Sequence, residues 1–263
     1  MPSVSSHAAG RFCWVELATS DQPAAKAFYA GLFGWEPRDQ PMGPDAFYTL
    51  LEKAGRDAAA AYTLRPDQKG VPPHWQVYVA VERADAAAAR AKELGATVLA
   101  PPFDVMDSGR MAVIQDPTGA VFAVWEARRH PGLGVVDETG AFCWAELLTR
   151  DTSKAASFYK ALFGWGTGGD ARYTEWKSGD RSIGGMMEIQ KDWGEVPPHW
   201  LVYFQVESVD RSVEKAKGLG GALTMGPQDM PEVGRFAMLR DPQGASFYVF
   251  QPAAAASGQG ARP

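Results

Sequence analysis

Two copies of one sequence pattern make up nearly the whole chain. FCWVEL at Phe12–Leu17 returns as FCWAEL at Phe142–Leu147, an offset of 142 − 12 = 130 residues. Farther along, His74 and His199 of two identical VPPHW segments are 199 − 74 = 125 residues apart, so one loop of the second copy is 130 − 125 = 5 residues shorter. Equal patterns bury equal faces, so a duplicated sequence predicts a duplicated fold. The second VPPHW is thus inherited with the repeat, and its recurrence is no sign of chemistry.

Each copy predicts the same order of strands and helices. Alternation of period two predicts a strand at Phe12–Ala18, and Asp21 then caps a helical stripe that ends at Gly34. Further strands of the first copy are predicted at Phe47–Leu51, Ala58–Leu64, His74–Val81, Thr97–Ala100, Met111–Gln115 and Val121–Trp125, with a helix at Ala84–Leu94. Those of the second are Phe142–Leu148, Arg172–Trp176, Ser182–Ile189, Trp200–Val206, Leu223–Met225, Arg235–Leu239 and Ser246–Phe250, with helices at Thr152–Leu162 and Val209–Leu219. Each copy therefore contains two βαβββ units, and we expect an α+β fold in which each copy has its own core.

Composition excludes several classes of protein. A hydrophobic content of 46% and an aromatic content of 11% are too high for a disordered chain. The net charge of −5, without a cluster of basic residues, argues against nucleic acid or an anionic membrane as partner. No apolar run approaches the roughly 20 residues of a membrane span. We expect a cytoplasmic protein, since MPSVSSHAAG lacks the pattern of a signal peptide and Cys13 and Cys143 would stay reduced in the cytosol.

Three motifs resemble one known superfamily. They are the first strand running into D…A..FY..LFGW, the V..A…A..LGA of the second helix, and the DP.G before the last strand. In these the chain resembles the vicinal-oxygen-chelate superfamily of glyoxalase I, bleomycin-resistance and extradiol-dioxygenase proteins, in its tandem-domain actinobacterial form. The resemblance implies two tandem domains, at residues 11–128 and 141–252, in which two βαβββ units form a curved-sheet cup. Residues 129–140 would be the linker, and residues 253–263 a mobile tail.

The resemblance also implies where a metal would be bound. Members of the superfamily hold a divalent ion through His, Gln or Glu at three kinds of position in the cup. In this chain those positions are Trp14, Gln76 and Ala123 in the first copy and Trp144, Leu201 and Tyr248 in the second. Only Gln76 carries a donor suited to a metal. We therefore expect no metal and no other cofactor.

Alternation predicts aromatic cups that contain a carboxylate. Glu16 and Glu146 lie two residues after Trp14 and Trp144 and so share their face of the strand. The side chains predicted to bind a ligand are Trp14, Tyr48, Gln76, Tyr78 and Trp125 in the first cup and Trp144, Tyr173, Tyr203 and Tyr248 in the second. These rings could instead simply fill a core. Their polar tips and the buried carboxylates favour a site for a flat ligand.

Three functions remain open from the sequence. The first is a metal-free binding protein that sequesters or carries an aromatic or polyketide-like small molecule, as bleomycin-resistance proteins do. The second is a cofactor-independent enzyme, such as a cyclase, an isomerase or a hydroxylase-associated protein, with Glu16 or Glu146 as acid or base. The third is a metal-dependent lyase or dioxygenase with unusual ligands, such as a Glu–His pair. His74 and His199 are interpreted as caps of their strands, with a general base as the alternative. The protein is expected to be a monomer or a homodimer.

Overall fold

Each repeat forms one eight-stranded sheet. The computed structural model describes residues 4–44, 46–66, 68, 70–170 and 173–253. The first repeat contains β1 (Phe12–Thr19), α1 (Gln22–Phe33), β2 (Glu36–Gly43), β3 (Ala46–Lys53), β4 (Arg56–Thr63), β5 (His74–Ala80), α2 (Ala84–Glu93), β6 (Thr97–Val105), β7 (Gly109–Gln115) and β8 (Val121–Ala127). The second contains β9 (Phe142–Thr149), α3 (Thr152–Phe163), β10 (Gly166–Gly169), β11 (Thr174–Ser178), β12 (Arg181–Glu188), a 3-10 turn (Lys191–Trp193), β13 (His199–Gln205), α4 (Val209–Gly218), β14 (Ala222–Met230), β15 (Gly234–Arg240) and β16 (Ser246–Pro252). Arg172 and, apart from Ala253, the tail at 253–263 lie outside the described residues.

The strand order confirms two βαβββ units in each sheet. The orders are β2-β3-β4-β1-β5-β8-β7-β6 and β10-β11-β12-β9-β13-β16-β15-β14. The units of one sheet meet where β1 runs antiparallel to β5, and β9 meets β13 in the same way. All eight strands of a sheet come from one repeat, so the repeats do not exchange units. The predicted α+β fold of two tandem curved-sheet domains is therefore confirmed.

Two edge strands were not expected from the sequence. β2 contains Pro37 and Pro41, and β10 reads GTGG. Proline removes a backbone donor and glycine weakens a strand, so neither segment shows the composition of a strand. Both lie at the outer edge of a sheet, where one side of the backbone needs no partner. The neighbouring strand, β3 or β11, therefore supplies the pairing that the local sequence does not encode.

The helices begin at the expected residues and end within one residue of the expected ends. The Asp21 side chain accepts a hydrogen bond from the Ala24 N–H at 3.0 Å, and α1 ends at Gly34 in the left-handed region at φ 73°. The first N–H of α2, on Ala84, donates to the Glu126 carboxylate at 2.8 Å. Glu126 thus points away from the cup, as alternation along β8 predicts. No helix in the described ranges is long and apolar enough to cross a membrane.

The hydrophobic core differs from the expectation of one core for each repeat. A single cluster of buried side chains includes Val77 and Phe122 of the first repeat and Val202 and Phe247 of the second. The rings of Trp75 and Phe204, one from each repeat, lie 5.0 Å apart between centroids. That expectation was wrong because buried apolar side chains of the two sheets pack against each other. The two domains are joined by a shared interior as well as by the linker.

Candidate functional site

A chain of hydrogen bonds lies in the first cup. The Trp14 indole N–H donates to the Tyr48 hydroxyl at 2.9 Å, and that hydroxyl donates to Glu16 Oε2 at 2.8 Å. The Tyr78 hydroxyl donates to the other oxygen, Oε1, at 2.5 Å. Trp14 and Tyr78 face each other on β1 and β5, so strand pairing brings the cluster together. Alternation thus predicted correctly which of these side chains share a face.

Both oxygens of Glu16 are satisfied within the cup. Burial raises the pKa of Glu16, while the hydrogen bonds from Tyr78 and Tyr48 act in the opposite direction. The side chain is 8% exposed. A buried carboxylate with two tyrosine donors is stabilised without a cation. The surroundings of Glu16 therefore fit a structural carboxylate as well as they fit a catalytic one.

The second cup repeats the aromatic cluster around Glu146. The Trp144 indole N–H donates to the Tyr173 hydroxyl at 2.9 Å. The rings of Tyr203 and Tyr248 are stacked, with centroids 4.2 Å apart and an interplanar angle of 14°. Trp144, Tyr203 and Tyr248 belong to an apolar cluster separate from the shared core. Its partly exposed members are Met187, Val196, Met225, Val233, Phe236 and Met238.

The carboxylate of the second cup is less fully satisfied. Burial raises the pKa of Glu146 to about 7, and hydrogen bonds from Tyr173 and Tyr203 act in the opposite direction. Its Oε1 is shielded from solvent and has no hydrogen-bond partner among the described residues. An unpaired buried acceptor costs about 1–3 kcal/mol. Glu146 can thus accept a hydrogen bond or a proton from a molecule that enters the cup.

The remaining predicted residues also lie on the cups. Gln76 faces Glu16 across β1 and β5, and its amide nitrogen donates to the carbonyls of Val77 and Val121 at 3.2 and 3.3 Å. The Trp125 indole N–H donates to the His130 carbonyl at 2.9 Å. Gln76 and Trp125 are therefore bound to backbone groups of their own domain.

Comparison with known proteins identifies the family. The model of the glyoxalase/bleomycin resistance protein/dioxygenase superfamily matches residues 11–124 and 141–249. The chain belongs to this superfamily. Over 260 residues it is 42% identical to "Putative glyoxylase CFP32" of Mycobacterium tuberculosis, covering 96% of this chain and 99% of that protein. It is 37% identical to "Anthracycline biosynthesis protein DauV" of Streptomyces sp. strain C5, over 93% of this chain and 94% of that protein.

Solved structures of the superfamily share the fold. The Mn(II)-bound glyoxalase from Novosphingobium aromaticivorans superimposes with a TM-score of 0.66 at 17% identity, over 92% of this chain and 82% of that one. The 2,3-dioxygenase LapB from Pseudomonas sp. KL28 gives 0.67 at 12% identity, over 95% and 94%. At these identities the likeness concerns the fold alone.

The residues at the superfamily's metal positions do not fit a divalent ion. The Trp14 indole N–H is a donor and is already bonded to Tyr48. Ala123 and Leu201 have no donor atom, and the Gln76 amide bonds to backbone carbonyls. In the described ranges, three or more His, Cys, Asp or Glu side chains never come close enough together to hold a metal ion. At the positions that the resemblance assigns to metal ligands, this superfamily member therefore carries aromatic, amide and aliphatic side chains.

The two histidines of VPPHW cap their strands. A ring nitrogen of His74 lies 2.9 Å from the Pro72 carbonyl oxygen, and His199 lies 2.8 Å from that of Pro197. Each imidazole thus fastens the loop to the first residue of β5 or β13. Burial lowers the pKa of His199, so this ring is neutral near pH 7.

One residue of the first cup, in the linker, was not predicted from the sequence. The ring of His130 in the linker lies edge-on to Trp14, with centroids 4.6 Å apart. The linker is bound there by backbone hydrogen bonds from Leu133 to Cys13 and from Gly134 to Asp57, both 2.7 Å. Since these contacts join residues far apart in sequence, no local pattern could have placed His130 in the cup.

Proposed function

We propose that the protein binds a flat aromatic or polyketide-like small molecule in an aromatic cup, without a metal ion. The observation that carries the proposal is the Trp–Tyr–Glu cluster of each cup, whose tryptophan stands at a position that the resemblance assigns to a metal ligand. A concave aromatic wall with a few convergent polar groups is the usual site for a drug-sized molecule. Sequestration, carriage and resistance would all follow from such binding.

The named relatives support this class of ligand. The DauV and DnrV proteins, each 37% identical over 93% of this chain, are named for anthracycline biosynthesis. Anthracyclines are polycyclic aromatic compounds that carry hydroxyl groups. The stacked rings of Tyr203 and Tyr248 offer a flat aromatic face against which a fused ring system can stack.

A second candidate is a cofactor-independent enzyme acting on such a molecule. The observation in its favour is Glu146, whose pKa is raised to about 7 by burial and whose Oε1 has no partner among the described residues. A carboxyl group that titrates near neutral pH can take a proton from one atom of a bound molecule and return it to another. Such a transfer would serve an isomerase or a cyclase. Metal-dependent lyase or dioxygenase chemistry is not proposed, because the donor set does not fit a metal.

Tryptophan fluorescence tests the proposal. An anthraquinone is titrated into the wild type and into the double variant Trp14→Ala/Trp144→Ala, with circular dichroism as the control for folding. We expect quenching and saturable binding in the wild type, and a loss on the order of 2 kcal/mol in the variant. Absence of saturable binding to the wild type, or equal affinity of a folded variant, would contradict the proposal. Mass spectrometry of the recovered ligand separates the candidates, since an altered ligand marks an enzyme.

A further inference from the structure

The two cups differ in whether both oxygens of their buried carboxylate already accept hydrogen bonds. In the first cup, Tyr78 and Tyr48 satisfy both oxygens of Glu16 at 2.5 and 2.8 Å. In the second cup, Glu146 is only 2% exposed, and its buried Oε1 has no hydrogen-bond partner among the described residues. A donor that a ligand brings stabilises a carboxylate oxygen without a partner more than it stabilises one that already accepts a hydrogen bond.

The residue paired with the carboxylate on the neighbouring strand differs between the two cups. Gln76 faces Glu16, and its counterpart Leu201 faces Glu146. The Gln76 amide is bonded to backbone carbonyls, while Leu201 is an apolar buried surface. A ligand group that enters the second cup therefore meets the unpaired oxygen of Glu146 with an apolar leucine, and no amide, opposite it. A hydrogen bond in such low-dielectric surroundings is electrostatically stronger than one in water.

The linker packs against the first cup. His130 lies against Trp14 and accepts a hydrogen bond from Trp125 through its carbonyl oxygen. Two residues on, Gly132 adopts φ +112°, and a Cβ placed there would come within 2.1 Å of the Cys13 carbonyl oxygen. The backbone of the linker is thus in direct contact with β1. The linker is a fixed part of the first cup.

We propose that the second cup is the binding site and that its ligand donates a hydrogen bond, from a hydroxyl or a protonated amine, to Oε1 of Glu146. The first cup is a structural unit that joins the linker to the sheet. This inference rests on the proposed function and deepens it, because it assigns the site to one repeat and gives the ligand a required donor group. The stacked rings of Tyr203 and Tyr248 supply the apolar contact, and the carboxylate supplies the selectivity.

Calorimetric titration of the full-length protein with matched probes tests the assignment. The probes are anthraquinones that carry a hydroxymethyl, an aminomethyl or a methoxymethyl group, so only the first two can donate. We expect one probe bound per chain and at least one donor probe favoured by about tenfold over the methoxymethyl compound. The stronger donor probe shows whether a hydroxyl or an ammonium group is the natural donor.

Variants decide between the cups. Glu146→Gln should abolish the preference for the donor probes, and Glu16→Gln should retain it while changing thermal stability. Two probes per chain, or loss of the preference in Glu16→Gln alone, would overturn the assignment and leave the proposed function standing. Equal affinity of the wild type for all three probes would overturn the required donor. If no probe binds, both the proposed function and this inference are contradicted.

A second pair of variants guards against misfolding of Glu146→Gln. Trp144→Ala should weaken the binding of the preferred probe more than Trp14→Ala does, with folding checked by circular dichroism. The opposite order would assign the ligand to the first cup. The stoichiometry and the relative affinities of the three probes are measured on the wild type. They therefore test the inference even if a variant does not fold.

Discussion

The hydroxyl of Tyr29, in the first repeat, donates a hydrogen bond to Oδ2 of Asp241, in the second, at 3.0 Å. The relation is reciprocal, since Tyr159 donates to Asp116 at 2.8 Å in the other direction. The aspartates belong to the two DP.G turns, and Oδ1 of each accepts backbone N–H groups of its own turn. The turn before the last strand of each domain is therefore bonded to a helix of the other domain.

Tyr29→Phe should lower the free energy of unfolding by about 1–3 kcal/mol, because it leaves buried polar groups without a partner. One is Oδ2 of Asp241, and the other is the Trp75 indole N–H, which donates to the Tyr29 hydroxyl at 3.1 Å. Denaturant unfolding measures the change, and Tyr159→Phe is the matched variant of the opposite contact. A difference within error of zero for both variants would contradict the role assigned to these contacts.

The shared core predicts that neither repeat is stable alone. Residues 1–130 and 138–263, expressed separately, would expose the apolar surface that Trp75 and Phe204 bury together. We expect insoluble or unfolded halves that recover structure on co-expression, and one cooperative transition for the intact chain. Two soluble halves with native circular dichroism, or two separate transitions, would show that the domains fold independently.

Local patterns predicted the helices, the faces of the cups and the strands other than the edge strands β2 and β10. Period two along β1 placed Trp14 and Glu16 on one face because side-chain direction follows from the backbone alone. The pairing of β2, the position of His130 and the shared core were not predicted, since each depends on contacts between distant residues. Apolar residues such as Trp75 and Val77 are equally compatible with a separate core and a shared one. The sequence shows that such a face is buried and does not show against what.

The pH dependence of stability should report on Glu146. Burial raises its pKa to about 7 from an ordinary 4.5, so the folded state binds the proton more tightly than the unfolded state does. Its contribution to stability is complete below pH 4.5 and is lost as the pH rises through 7, a change of about 3 kcal/mol. Glu146→Gln cannot titrate, so the variant should gain stability relative to the wild type over this range. A difference in unfolding free energy that is constant with pH would contradict the account.

Gly185 provides a test of the second cup that removes no polar group from the chain. A Cβ at this position would lie 1.9 Å from the Tyr173 hydroxyl oxygen, so Gly185→Ala must displace that ring. Displacement breaks the hydrogen bond from Trp144 and should weaken aromatic ligands about tenfold, as measured by fluorescence titration. The counterpart in the first cup is Ala60, and Ala60→Gly should leave the affinity unchanged. Similar effects of the two substitutions on affinity would contradict the assignment of the ligand to the second cup.

Binding of an anthraquinone probe with and without a chelator tests the central claim most directly. The claim is that the aromatic and hydrogen-bonding lining of the cup, and no metal ion, holds the ligand. The affinity measured by fluorescence titration should be the same before and after treatment with EDTA, and unchanged when Mn²⁺, Ni²⁺ or Zn²⁺ is added back. Loss of binding in EDTA that is restored by one of these ions would contradict the claim.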